Sequence, residues 1–143
     1  MAAENIEYGE GIDLPRDQVL NLYRACGWSA ASKPRELLQA LRKSETVISA
    51  WHQGALVGLG NAISDGALVV YYPHLLVLPP YQRSGIGRGI MERLKERYAH
   101  FHQHVLLAVR DAAPFYERIG FTYATTVKAM WVYDDSDHPR PPA

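Results

Sequence analysis

Apolar residues in the first third of the chain return every three or four positions. Val19, Leu22, Tyr23 and Cys26 form one such stripe, opened by Asp13 ahead of Leu14-Pro15 and stopped by Gly27, which predicts a helix. After a loop over residues 28–33, Ser32 or Lys33 precedes Pro34, and Leu37, Leu38 and Leu41 share a face, predicting a second short helix. Upstream, Ile6-Glu7-Tyr8 reads as a short edge strand. From Thr46 the pattern turns β-rich. Thr46-Val47-Ile48-Ser49-Ala50-Trp51, the turn Gln53-Gly54 and Ala55-Leu56-Val57-Gly58 predict a hairpin.

Asp65-Gly66 signals a second turn. Residues 67–78 then form a long apolar, β-branched run expected to be largely buried strand, with Pro73 marking a bulge or a break into two strands. Pro79-Pro80 ends it. From Gly85 the pattern is helical again, with Ile86, Ile90, Met91, Leu94 and Tyr98 set against Arg88, Glu92, Lys95 and Glu96. Residues 104–109 read as another strand and residues 113–119 as a short helix closed by Gly120. Residues 121–123 and 130–133 are predicted as two final strands, and residues 134–143 as a Pro-rich mobile tail. No repeat or linker interrupts the chain, which is expected to be one domain over residues 1–143.

Composition narrows the classes. Hydrophobic residues make up 48% and charged ones 21%, as in an ordinary globular protein. Lys plus Arg and Asp plus Glu each count 15, so no global basic field draws in nucleic acid or an anionic membrane. The lone cysteine, Cys26, excludes an internal disulfide and a cysteine metal cluster. Without a basic start and apolar run at the N-terminus, or an apolar stretch of roughly 18 residues, neither a secretory signal nor a membrane span is expected. The chain is expected to be cytoplasmic.

Candidate chemistry concentrates where the apolar run meets the long helix, at Gln82-Arg83-Ser84-Gly85-Ile86-Gly87-Arg88-Gly89. A helix start carries unpaired N–H groups and the positive end of the macrodipole, and glycines let a phosphate approach the backbone. Arg83 and Arg88 add charged donors. The competing reading is a tight strand-to-helix turn with solvated arginines. The glycine spacing fits neither a dinucleotide fingerprint nor a P-loop.

The run Leu75-Leu76-Val77-Leu78-Pro79-Pro80-Tyr81-Gln82-Arg83-Ser84-Gly85-Ile86-Gly87 resembles the GNAT acetyltransferase pattern of strand, proline turn and Gln/Arg-x-x-Gly-x-Gly/Ala. Downstream, Ala113-Pro114-Phe115-Tyr116-Glu117-Arg118-Ile119-Gly120-Phe121 is similar to that superfamily's second signature, in the same order and spacing. The resemblance implies an α/β (α+β) GNAT fold: a mixed, mostly antiparallel sheet with a splayed parallel strand pair around Leu75 and Leu106, and about four helices. It also implies acetyl-CoA as cosubstrate, with no metal. Leu76, Val77 and Leu78 would hold the pantetheine and thioester through backbone N–H groups. Gln82, Arg83, Ser84, Gly85, Ile86, Gly87 and Arg88 would hold the pyrophosphate.

The reaction implied is direct attack of a neutral primary amine on the thioester. An alkyl amine with a pKa of roughly 10 must first lose a proton, and the departing thiolate gains from an acid. Tyr116 matches the family's tyrosine acid; the alternative is a core aromatic on a short helix. His74 is the first candidate base because an imidazole suits proton relay. The alternative is a histidine packed in the sheet. Tyr71, Tyr72, Asp65 and a water chain are further candidates. Where many similar proteins carry Asn at the end of the second cleft strand, Arg110 stands here, putting that contact to the cosubstrate in doubt or transferring it to phosphate.

The acceptor is expected to be a small-molecule amine, with arylalkylamines favoured by Trp28, Trp131 and Tyr133, or else a protein lysine or N-terminal amine. A different class is a non-catalytic acyl-CoA-binding regulatory module. Nucleic-acid binding through Arg83, Arg88, Arg93 and Arg97 is disfavoured by the acidic residues interleaved on that helix. Similar proteins often dimerise, and the predicted C-terminal strands would offer an edge for a homodimer. His100, His102 and His104 lack helical i, i+4 ligand geometry and a carboxylate cluster, which argues against a metal.

Overall fold

In a computed structural model, residues 5–109 and 111–134 are described. The chain divides into two compact units that part between Leu106 and Leu107. The first opens with strand β1 (Glu7–Glu10) and helix α1 (Arg16–Ala25). Pro15 is the residue before the helix, and its carbonyl accepts the first helical bond from the Val19 N–H at 3.0 Å. After a 3-10 turn (Ser29–Ser32), helix α2 (Pro34–Lys43) begins with proline at its first position. Strands β2 (Thr46–His52) and β3 (Ala55–Ser64) form the predicted hairpin, with β3 running further than Gly58.

The apolar run then breaks at Pro73 into β4 (Val69–Tyr71) and β5 (Leu75–Val77). A 3-10 turn (Pro79–Tyr81) leads to helix α3 (Ile86–Arg97), followed by β6 (Gln103–Val105). These strands make a six-stranded sheet in the order β1-β2-β3-β4-β6, with β5 paired to β3 off that path. Every pairing is antiparallel except β4 with β6.

The parallel pair lies upstream of the positions expected for it, Leu75 and Leu106. Tyr71 pairs with Val105, and the Tyr72 N–H still donates to the Val105 carbonyl at 3.0 Å. Pro73 has no N–H, and the chain next pairs with β3, where Leu75 faces Gly60. The parallel contact therefore involves residues 69–72, upstream of Leu75. Strand β6 stops at Val105, short of the predicted 109, because its ladder partner β4 stops at Tyr71.

The sheet is packed on both faces. Leu59, Leu76 and Val47 join Val19, Leu22, Tyr23, Leu37 and Leu41 of α1 and α2 in one buried cluster. On the other face, Gly58 and Gly60 let α3 approach closely. A Cβ on Gly58 would lie 3.0 Å from Ile90 Cδ1 and 3.1 Å from Ile86 Cγ2. Trp51 pairs with Leu56 and Ala50 with Gly58, so Val57 is the extra residue of a bulge.

The second unit contains helix α4 (Ala113–Arg118), ended by Gly120 at φ +102°. The two strands predicted over residues 121–123 and 130–133 are absent. Residues 121–134 form no strand, since aromatic and β-branched character becomes a strand only with a ladder partner. The edge they were to offer a dimer is therefore missing. Arg110 and the tail over residues 135–143 lie outside the described residues.

Candidate cosubstrate and acceptor site

The turn before α3 is fixed from within. Tyr81 N–H donates to Leu78 C=O at 2.8 Å, Gln82 N–H to Pro79 C=O at 3.2 Å, and Ser84 Oγ to Tyr81 C=O. Arg83 adopts φ +62° and Gly85 φ +89°, so two left-handed residues turn the chain into the helix. The first helical bond runs from Gly89 N–H to Gly85 C=O at 3.0 Å. The amides of Ile86, Gly87 and Arg88 thus lie ahead of the intrahelical ladder, at the positive end of α3. A Cβ built on Gly85 meets nothing within 4 Å, so the space before the turn is open. Open space, unpaired amides and a helix N-terminus suit a pyrophosphate.

Arg88 leans away from a pure phosphate role, bonding Glu92 at 2.7 Å on the exposed face. Arg93 lies 3.7 Å over the Tyr8 ring, and Arg97 pairs with Glu10 at 2.9 Å. These interactions hold three of the four arginines weighed for nucleic acid within the chain. A groove of about 550 Å³ lined by Tyr8, Glu10, Arg93 and Arg97 shares no residue with the glycine turn.

The three residues expected to supply pantetheine contacts separate by ladder geometry. Leu78 N–H donates to Val57 C=O at 2.8 Å, and Asn61 N–H donates to His74 C=O at 3.2 Å. Antiparallel pairing alternates, so Leu76 also faces β3, whereas the N–H and C=O of Val77 point away from it. Of the three, Val77 alone turns its amide to the outer edge. Its carbonyl there accepts Gln82 Nε2 at 3.0 Å and Cys26 Sγ at 3.3 Å. Burial raises the Cys26 thiol, which stays protonated as a donor.

His74 sits at the junction of β4 and β5. Its N–H donates to Asn61 Oδ1 at 2.9 Å, while the Asn61 Nδ2 donates to Ser44 Oγ at 3.0 Å. Its ring meets Tyr23 at 5.4 Å and Trp28 at 4.9 Å between centroids, both edge-on. The Tyr23 hydroxyl lies 2.7 Å from His74 Nδ1. Burial pulls the imidazole down to about 4, so His74 is neutral near pH 7. A histidine packed in the sheet and bonded locally is the geometry found.

Two of the other base candidates, Asp65 and Tyr72, are engaged in hydrogen bonds. Asp65 Oδ1 accepts the amides of Ala67, Leu68 and Val69 at 2.9, 2.7 and 3.1 Å, and these bonds, Leu68 foremost, lower its pKa. That carboxylate closes a turn. Tyr72 shares a 2.7 Å hydrogen bond with His104 Nδ1, and burial raises its pKa well above the ordinary range. Tyr71 is exposed, and burial of part of its ring raises its pKa as well. Among the described residues, no group of three His, Cys, Asp or Glu side chains could hold a metal.

In the second unit, Tyr116 lies on α4 with its ring edge-on to Phe115 at 5.0 Å and Phe121 at 5.9 Å. Burial pushes its phenol up to about 12, which keeps it protonated at neutral pH. Trp131 and Tyr133 stack at 4.9 Å.

Tyr23 and Asn61 escaped the sequence reading. Tyr23 looked like one apolar position in the α1 stripe. The available signal for Asn61 was an amide inside an otherwise apolar strand, which must find buried partners.

The chain thus sets a glycine turn that opens a helix beside the strand edge at Val77, on a mixed six-stranded sheet with one parallel pair. The GNAT acetyltransferase domain matches residues 14–130, and the chain belongs to that family. A GNAT-family acetyltransferase from Streptococcus pneumoniae TIGR4 superposes with a TM-score of 0.79 at 30% identity, covering 91% of this chain and 99% of the other. The chain is 37% identical over 70 residues to the chloroplastic GCN5-related N-acetyltransferase 3 of Arabidopsis thaliana, across 48% of this chain and 30% of that protein. An aminoglycoside N-acetyltransferase solved with CoA shares the fold at a TM-score of 0.68 and 10% identity, covering 92% and 95% of the two chains. Among the described residues no helix is long and apolar enough to cross a membrane.

Proposed function

We propose that the chain is an acetyl-CoA-dependent N-acetyltransferase acting on a primary amine, with a small arylalkylamine favoured over a protein lysine. The observation that carries this is the turn over residues 82–88, whose forward amides at Ile86, Gly87 and Arg88 are unpaired along the helix while Val77 turns its own outward. Bound acetyl-CoA supplies the acyl carbon that the amine attacks. The turn holds the pyrophosphate and Val77 N–H the pantetheine arm; as the C–N bond forms and the C–S bond breaks, Tyr116 donates a proton to the leaving thiolate and the amine nitrogen gives one up to water.

Trp28 supports the acceptor class. It is a partly buried aromatic in the loop after α1, packed against His74 and Tyr23. Such a wall favours an apolar amine, through stacking or cation–π attraction. The single cysteine fits a reducing compartment. Acetyl transfer from acetyl-CoA across a panel of arylalkylamines, polyamines and lysine peptides tests the reading. CoA binding with no turnover on any amine would favour a non-catalytic acyl-CoA-binding module.

A further inference from the structure

The pairing of Tyr23 with His74 bears on where the histidine keeps its proton. Tyr23 has no solvent exposure, and the only polar side-chain partner of its hydroxyl among the described residues is His74 Nδ1 at 2.7 Å. Burial holds this phenol above its ordinary pKa, so the hydroxyl keeps its proton near pH 7. A buried O–H must donate, because an unpaired one forfeits its hydration. If Nδ1 bore hydrogen, it would donate to the phenol oxygen and leave the tyrosine proton without an acceptor. The pair is satisfied when Nδ1 accepts from the phenol and the proton of neutral His74 sits on Nε2.

We propose that Tyr23 is a positioning residue that fixes His74 as the Nε2–H tautomer, so that its remaining ring nitrogen is a hydrogen-bond donor and His74 is not the general base of acyl transfer. The rest of the surroundings hold the ring in that state. Asn61 clamps the His74 backbone from both sides, with its N–H on the His74 carbonyl and its Oδ1 on the His74 N–H. Trp28 closes edge-on at 4.9 Å. The same segment runs on to Val77, whose carbonyl binds Cys26 at the end of α1, the helix that carries Tyr23. One helix thus sets both the tautomer of His74 and the edge at Val77.

The tautomer stands or falls without reference to acetyl transfer; the donor role rests on the function proposed above. Imidazole ¹⁵N spectra of the folded protein near pH 7 should show His74 Nδ1 unprotonated and Nε2 bearing hydrogen. Protonated Nδ1 overturns the proposal. In Tyr23→Phe, His74 shifts should move toward a tautomer mixture, and unchanged shifts in a folded variant count against it. If that variant fails to fold, the wild-type spectrum still decides. With an amine substrate, His74→Gln keeps an N–H donor and should turn over at least tenfold faster than His74→Leu. Equal losses in the two variants would remove the donor role. Absence of turnover on every amine, with the Nε2–H spectrum in place, would refute acetyl transfer and leave the tautomer assignment standing.

Discussion

A methyl group added to Gly60 would lie 2.7 Å from Cγ2 of Ile90, closer than side chains pack. It would also stand 3.1 Å from Leu94 Cδ1 and 3.4 Å from Leu75 Cδ1. Gly60 therefore sets the distance between β3 and α3, and with it the depth at which the glycine turn sits. Gly60→Ala should destabilise the fold by about 1–3 kcal/mol through overpacking. Thermal unfolding measures this. Ile90→Leu, which removes the offending methyl, should recover part of the loss in the double variant, and strict additivity would show the contact to be irrelevant.

At the turn itself, Gly87→Val is the more informative substitution. Gly85 has φ +89°, so a valine there carries backbone strain of about 1–2 kcal/mol before any ligand is considered. Gly87 lies within α3 and tolerates a side chain on backbone grounds. Gly87→Val should weaken CoA binding at least tenfold by calorimetry while the protein stays folded. Unchanged affinity would detach the pyrophosphate from this turn.

The depressed pKa of His74 gives a stability prediction with a definite sign. An unfolded histidine takes up its proton near 6.5, whereas His74 in the fold does so near 4. The unfolded state binds more protons between those values. Stability from this group is complete above about pH 6.5 and drains away as pH falls toward 4, by up to about 3 kcal/mol. Denaturant titrations at several pH values should show a shallower slope over that window in His74→Gln. Parallel curves for the two proteins would place the histidine in contact with water.

Tyr116→Phe should lower kcat roughly 10- to 1000-fold where chemistry limits the rate, the usual worth of general acid–base catalysis. KM for acetyl-CoA should change less, because the substitution removes a proton donor and keeps the ring between Phe115 and Phe121. Full kcat in the variant would strip Tyr116 of the acid role.

Tryptamine or phenethylamine should exceed spermidine in kcat/KM, and Trp28→Ala should narrow that gap. Trp28 also braces Tyr23 and His74, so the variant will lose some stability, and ratios between amines are the quantity to compare. A preference for spermidine, or for a lysine peptide over every small amine, would refute an aromatic acceptor wall.

Local signals carried much of this protein. The apolar stripes marked α1 and α2, the Gln53-Gly54 turn marked the β2–β3 hairpin, and Pro73 marked the break between β4 and β5. The glycine turn was visible because its chemistry is contiguous: a strand, a proline stop and a helix start lie side by side in the chain. The strands predicted over residues 121–123 and 130–133 failed for the complementary reason. Apolar alternation says that a segment can lie in a sheet, and only a partner ladder makes it do so.

The state of His74 needed the fold. Its partners Tyr23 and Asn61 lie 51 and 13 residues away. A histidine's pKa and tautomer depend on burial and on the group facing each ring nitrogen. The same holds for Val77, whose outward amide follows from pairing with Gly58, a contact that no local pattern encodes. Sequence alone determined which residues could do chemistry, because side-chain identity and backbone propensity are local. Only the tertiary structure decided which of their hydrogen-bonding groups remain available, because ladder register and burial arise between segments distant in the chain.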